Sequence, residues 1–320
     1  MTRKIVYLDQ NKWIALAKAA KNPDEKSEAR SALEFLVGER KADRVLLPLT
    51  ATNIYETHKV NNPERRFDLA YCITTLGESC VFRGRHKRLE MEVIDTVRRA
   101  YDLPLPARDA NWFLSQVFYE ATAEWDDLRL GPVVSEKMYE FAKGNPQEFL
   151  FRYLMETPED IRTTAVQRFS KGMDGIRQHV EERRTRHAGE KESMRRNIQN
   201  AVLMINKIDE IQAWVSKAAV PDVSVRDILE KHARRIMNET PTYAIERELA
   251  LRLEGQHNRP IQENDFRDMQ SFCAVIAYSD VVVAENQFSS LARQAGLDRK
   301  YGTVITTSFT TMMETMSDTN

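Results

Sequence analysis

The placement of strand-forming runs constrains this chain more than any other feature of its sequence. KIVYL (4–8), VLLPL (45–49) and VVVA (281–284), with VIT (304–306) and a weaker CVF (80–82), are short, apolar and without alternation. Such strands are buried on both faces, as in a parallel sheet covered by helices. They cluster at the two ends of the sequence, and the stretch 106–257 reads as helical throughout. The expected fold class is therefore α/β: a parallel sheet sandwiched by helices, interrupted by a long all-helical insertion. In domain terms, 1–105 plus 258–320 form a discontinuous core and 106–257 the insertion.

Helix starts are legible from Asn or Thr followed by Pro. Asn22-Pro23, Asn62-Pro63, Asn145-Pro146, Thr157-Pro158 and Thr240-Pro241 each read as an N-cap with proline in the first turn. Within the insertion, a helical hairpin is expected over about 159–218. Its first arm carries Ala165, Phe169, Met173, Ile176 and Val180 on one face. Its second carries Met194, Ile198, Ala201, Ile205, Ile208 and Val215, spaced as the seam of a helix packed lengthwise on its partner. The polar stretch 181–193 would form the turn.

No apolar run approaches the roughly 18 residues of a membrane span. The opening run breaks at Asp9, too soon for a secretory signal. Three cysteines, Cys72, Cys80 and Cys273, form no CxxC pair, so neither a zinc knuckle nor a disulfide framework is indicated. A soluble cytoplasmic chain is expected. The 47 Lys+Arg nearly balance the 48 Asp+Glu, but two local basic patches stand out. One is RGRHKR (83–88). The other, 161–200, has ten Lys+Arg against five Asp+Glu, including Arg177, Arg183, Arg184, Arg186, Arg195 and Arg196 near the expected turn. Each reads either as a solvated helical surface or as a grip on phosphate. Neither a phosphate-binding GxxxxGK[ST] loop nor a GxGxxG fingerprint occurs.

Carboxylates sit at telling places beside the strands. Asp9 follows the first strand and Glu285 follows VVVA; Glu56 lies early in the helix after VLLPL; Asp265 and Asp268 open the helix that leads into VVVA. In a parallel α/β sheet, helix N-termini lie at the edge where strands end, the edge where such sheets bind ligands. At 100° per residue, Asp265 projects into the stripe of Met269, Phe272 and Ile276, and Asp268 onto its border. Gathered carboxylates raise one another's pKa unless a cation sits among them. An all-oxygen donor set favours Mg²⁺ or Mn²⁺, the usual apparatus of phosphodiester hydrolysis. Taken singly, Asp9 and Asp265 read equally well as helix caps.

In this order the residues resemble the PIN-domain ribonuclease family. YLDQNKWIAL (7–16), LPLTATNIYETHK (47–59) and NDFRDMQSFCAVIAYSDVVVAENQF (264–288) carry the resemblance. It implies that Asp9, Glu56, Asp268 and Glu285 are the four acidic positions of a Mg²⁺ or Mn²⁺ site, with Asp265 and Asp280 as further acids nearby. By that resemblance the chain is expected to be a metal-dependent endoribonuclease; Asp265, outside the family's four positions but at the same edge, is expected to orient or deprotonate the nucleophile. RNA is then the substrate, the products carry a 5′-phosphate and a 3′-hydroxyl, and a toxin or defence effector with a protein inhibitor or a homo-oligomer comes into view. The sequence departs from the family at Glu285, where Asp is usual, and at Val283, where a small hydroxyl residue often stands. Two readings of other classes remain: a catalytically inactive PIN-like scaffold that binds RNA or protein, and a metal-dependent phosphatase.

Overall fold

The computed structural model describes residues 3–121, 136–256 and 259–318. Its main sheet has four strands: β1 (Lys4–Leu8), β2 (Val45–Leu46), β5 (Val281–Val283) and β6 (Val304–Thr306), in the order β2-β1-β5-β6 and all parallel. The two ends of the sequence meet at its centre, where Val6, Tyr7 and Leu8 pair with Val281, Val282 and Val283. The molecule is thus mixed α/β and mostly helical.

The non-alternating strands are buried on both faces, as their composition requires. Ile5, Tyr7 and Val282 join one apolar cluster; Val6, Leu8, Val281 and Val283 join another on the opposite face. The first cluster is covered by α12 (Pro241–Glu254), α13 (Glu263–Val275) and α14 (Asn286–Gln294). The second is covered by α1 (Gln10–Lys21), α2 (Glu28–Lys41) and α4 (Pro63–Gly77). A third cluster lies between α5 (Arg85–Ala100), α10 (Ile208–Lys217) and α11 (Val225–Glu239), around Trp214 and Tyr243.

VLLPL does not continue as one strand. Pro48 has no N–H to give to a ladder, and beyond it the chain turns to a second, smaller sheet. There Leu49 bridges Val81 of β3 (Val81–Phe82), which pairs antiparallel with β4 (Leu114–Ser115). The weaker CVF run is therefore a strand. The insertion is not all-helical, because β4 lies in it; a two-residue strand leaves no periodicity to read.

Asn62 caps α4, accepting from the N–H of Arg65 at 2.9 Å with Pro63 in the first turn. Asn22-Pro23 behaves differently: Asn22 closes α1, and Ser27 caps α2 through the N–H of Arg30.

The hairpin also differs from expectation. α8 (Glu159–Arg186) continues into the polar stretch assigned to the turn as far as Arg186, and the second arm is two helices, α9 (Glu192–Asn206) and α10, broken at Lys207. The arms are not each other's main partner: α8 lies on α12 and α13, α9 on α12 and α11. Met194 and Ile205 of the expected seam are exposed, whereas Gln199 is buried by its bond to Glu254. The side chains of Phe169, Met173 and Ile176 lie outside the described residues. Val180, Ile245, Leu249 and Leu253 of the insertion belong to the same apolar cluster as Ile5 and Tyr7. Among the described residues, no helix is long and apolar enough to cross a membrane.

Candidate active site

The C-terminal edge of the main sheet gathers the carboxylates. Asp9 leaves β1 and caps α1; its N–H donates to the carbonyl oxygen of Val283 at 2.9 Å, which sets it beside the end of β5. Its carboxylate accepts from the N–H of Gln10 at 2.8 Å and from the N–H of Glu285. Glu285 caps α14 and accepts from the side-chain amide of Asn11. Glu56 lies in α3 (Ala51–His58), which begins with a reciprocal capping box between Thr50 and Asn53. Buried Asn53 reaches back to Gln10 at 3.3 Å, and Gln10 donates to Thr57 at 3.1 Å, so a polar network ties α3 to the end of β1. Asp268 stands in the second turn of α13, half-buried and without a hydrogen-bond or ion-pair partner among the described residues.

Their electrostatics show that these groups feel one another. Burial, followed by the charges of Asp9, Glu56 and Glu285, pushes Asp268 up to about 8. Burial pushes Asp9 up to about 6, and Glu56 and Glu285 add to the rise. Glu56 is raised mainly by burial, against the pull of Arg267 at 3.2 Å. Burial alone would raise a carboxylate, but here repulsion between like charges recurs at three sites facing one edge.

Asp265 is brought to the same helix end but is fully engaged. It is 1% exposed; Arg259 grips both its oxygens at 2.8 Å, Gln287 donates to it at 2.9 Å, and the N–H of Gln262 donates at 2.7 Å. The helical wheel placed it in the buried stripe correctly. Its surroundings make it a tie between the start of α13 and α14. A base that takes a proton from water needs a free lone pair facing solvent, and Asp265 has none to offer. Asp280 lies at the opposite edge, accepting from the N–H of Ile5 at 2.8 Å at the start of β1.

The residues that sequence reasoning missed are polar partners. Arg267 is 5% exposed, pairs with Glu56 and Glu263, and lies over the ring of Tyr55 at 5.6 Å. Its position one residue from Asp268 was the available signal. Asn11 and the pair Gln10 and Asn53 gave none, because amides carry no periodicity.

The basic patches are largely consumed inside the molecule. In 83–88, Arg83 pairs with Glu120, Arg85 with Glu246, and Lys87 with Glu90. Near the expected turn, Arg183 pairs with Glu254, and Arg196 with Glu192 and Glu248. Arg184 pairs with Glu181 and also donates to the carbonyl oxygens of Leu253, Glu254 and Arg259.

Among the described residues, no three His, Cys, Asp or Glu side chains stand close enough, as they are disposed, to share one ion. Compared with family models, with curated proteins and with solved structures, the chain matches none.

Proposed function

We propose that the acidic edge hydrolyses RNA phosphodiester bonds with the help of a divalent cation, on a PIN-like core. The observation that carries this reading is the elevation of Asp268 to about 8, by burial and by the charges of Asp9, Glu56 and Glu285, and of Asp9 to about 6, by burial and by the charges of Glu56 and Glu285. A sheet edge that keeps half-buried carboxylates in repulsion is less stable than one that neutralises them, and functional sites are where such arrangements concentrate.

Mg²⁺ or Mn²⁺ fits the residues by chemistry. The donors are carboxylate oxygens alone, and Asp268 has no partner among the described residues to neutralise it. Asp9, Asp268 and Glu285 would hold the ion, with Glu56 behind them. When bound, it supplies Lewis acidity toward water and neutralises charge on the phosphoryl oxygens. The chain's own groups fix the donors: the N–H groups of Gln10 and Glu285 orient Asp9, Arg267 holds Glu56, and Asn11 holds Glu285. Asp265, through Arg259 and Gln287, anchors the helix ends that present Asp268 and Glu285.

The catalytically silent scaffold keeps specific support: Glu56 is already engaged by Arg267, and among the described residues no three carboxylates stand ready to share an ion. Incubating the purified chain with total RNA, in Mn²⁺ and in EDTA, separates the two readings. Cleavage in Mn²⁺ that EDTA abolishes supports hydrolysis; intact RNA in both buffers leaves the scaffold.

A further inference from the structure

Away from the acidic edge, a cavity of about 310 Å³ opens between α5, α8, α9, α12 and α13. That is the lower end of the range for small-molecule pockets. Its apolar lining comes from Val202 and Leu203 of α9, Leu253 of α12, and Phe266 and Met269 of α13. The rest is unusually cationic, with Arg85, Arg88, Arg183, Lys207 and Arg247 against a single lining carboxylate, Glu246.

Four of these five cations have carboxylate partners. Arg85 pairs with Glu246 at 2.6 Å, Arg183 with Glu254 at 3.1 Å, Lys207 with Glu210 at 2.9 Å, and Arg247 with Glu248 at 3.0 Å. Arg88 is the exception. It is 2% exposed, and its guanidinium donates to two backbone carbonyls, from Nε to Arg83 at 2.7 Å and from Nη1 to Cys273 at 3.0 Å. It makes no ion pair among the described residues. Glu92, one turn on, is equally buried but spends its oxygens on Thr242 and Tyr278. A buried guanidinium held by carbonyls, with no carboxylate in direct contact among the described residues, gains from an anion that meets it.

We propose that this cavity binds a small organic anion: a phosphate or carboxylate head set against Arg88, and an aromatic or aliphatic body packed against Val202, Leu203, Phe266 and Met269. The planar fork of an arginine suits either head group. Met269 can adjust to the shape of the body. The floor of the cavity is α13, the helix that carries Asp268 on its other side. The inference does not depend on whether the acidic edge cleaves RNA.

The test uses the full-length chain and anilinonaphthalene sulfonate, a fluorescent anion with an aromatic body. Saturable binding at one site is expected. Arg88→Met and, separately, Leu203→Trp, which adds bulk at the apolar lining, should each weaken it by at least about tenfold. The uncharged analogue N-phenyl-1-naphthylamine should bind less tightly than the sulfonate. Displacement by 1-naphthyl phosphate or by 1-naphthoate then tells which head group the site takes. Undiminished binding in either folded variant, equal binding of the uncharged analogue, or displacement by neither anion would overturn the proposal. Should Arg88→Met fail to fold by circular dichroism, Leu203→Trp decides alone.

Discussion

The N–H of Asp9 donates to the carbonyl oxygen of Val283, so the residue that ends the first strand is fixed by a strand from the far end of the chain. That bond, with the N–H groups of Gln10 and Glu285 on its carboxylate, gives Asp9 its orientation without neutralising it. Asp9→Asn keeps an oxygen to accept those bonds and removes the charge. RNA cleavage in Mn²⁺ is therefore expected to fall by at least about 100-fold, with an unchanged circular dichroism spectrum. A folded variant that cleaves labelled RNA at the wild-type rate would end the assignment.

The partnerless carboxylate of Asp268 makes stability depend on pH. Its pKa in the folded chain is about 8, far above an unfolded carboxylate. Between about pH 4 and pH 8 the unfolded chain has lost this proton and the folded chain still holds it, so in metal-free buffer stability falls as pH rises through that window. Asp9, raised to about 6, acts in the same direction over a narrower window. Asp268→Asn removes the larger contribution. In EDTA the variant should exceed the wild type by about 1–3 kcal/mol at pH 8, with little difference near pH 4. Thermal melts at the two pH values measure this, and an equal gap at both would contradict it. Mn²⁺ should raise the melting temperature of the wild type and have little effect on the variant.

How much of this was legible follows from what hydropathy encodes. The non-alternating runs at 4–8 and 281–284 announced a sheet covered on both faces, and their pairing follows because a parallel sheet can join distant segments. The helical wheel placed Asp265 inside and Asp268 at the border of the same stripe, as found. Polar burial by partnership was not legible. Gln199 is inside because Glu254 meets it at 2.7 Å, and Arg267 because Glu56 and Glu263 do. The heptad-like spacing of Met194 and Ile205 misled because α9 rests on α12 along a different face. Pro48 was visible in the sequence, but its consequence, a handover from β1 to β3, depends on tertiary placement.

Asp265 and Arg259 form a clamp whose two halves should respond unequally to mutation. Arg259→Met leaves the fully buried Asp265 without its bidentate partner, which should cost about 3–5 kcal/mol. Asp265→Asn removes the charge that needed compensating and keeps an acceptor for the N–H of Gln262, so it should cost less. Urea denaturation of the two variants gives the comparison. If Asp265 instead served as the proton acceptor in hydrolysis, Asp265→Asn would abolish cleavage while Arg259→Met spared it. The clamp predicts that both variants lower cleavage together, by displacing the helix ends that carry Asp268 and Glu285.

The arginines near the end of α8 supply the last test, because their surroundings divide two roles the sequence left open. Arg183 is bound to Glu254, and Arg184 to Glu181 and three backbone carbonyls that close the segment leading into α13. Groups so engaged must break internal bonds before gripping a phosphate. Replacing Arg183, Arg184 and Arg186 together with Gln should therefore act on the fold. Stability should fall by about 2–4 kcal/mol, mainly through Arg184 and through Glu254, which keeps the bond from Gln199 but loses its cation. RNA affinity measured well below the melting temperature, and its dependence on salt, should stay as in the wild type. A phosphate grip predicts the reverse pattern: weaker binding and a shallower slope of log affinity against log salt, by about 0.7–0.9 for each lost contact. Filter binding at several salt concentrations, paired with a thermal melt of the same preparation, reads both quantities, and a shallower slope with an unshifted melt would return these arginines to the RNA.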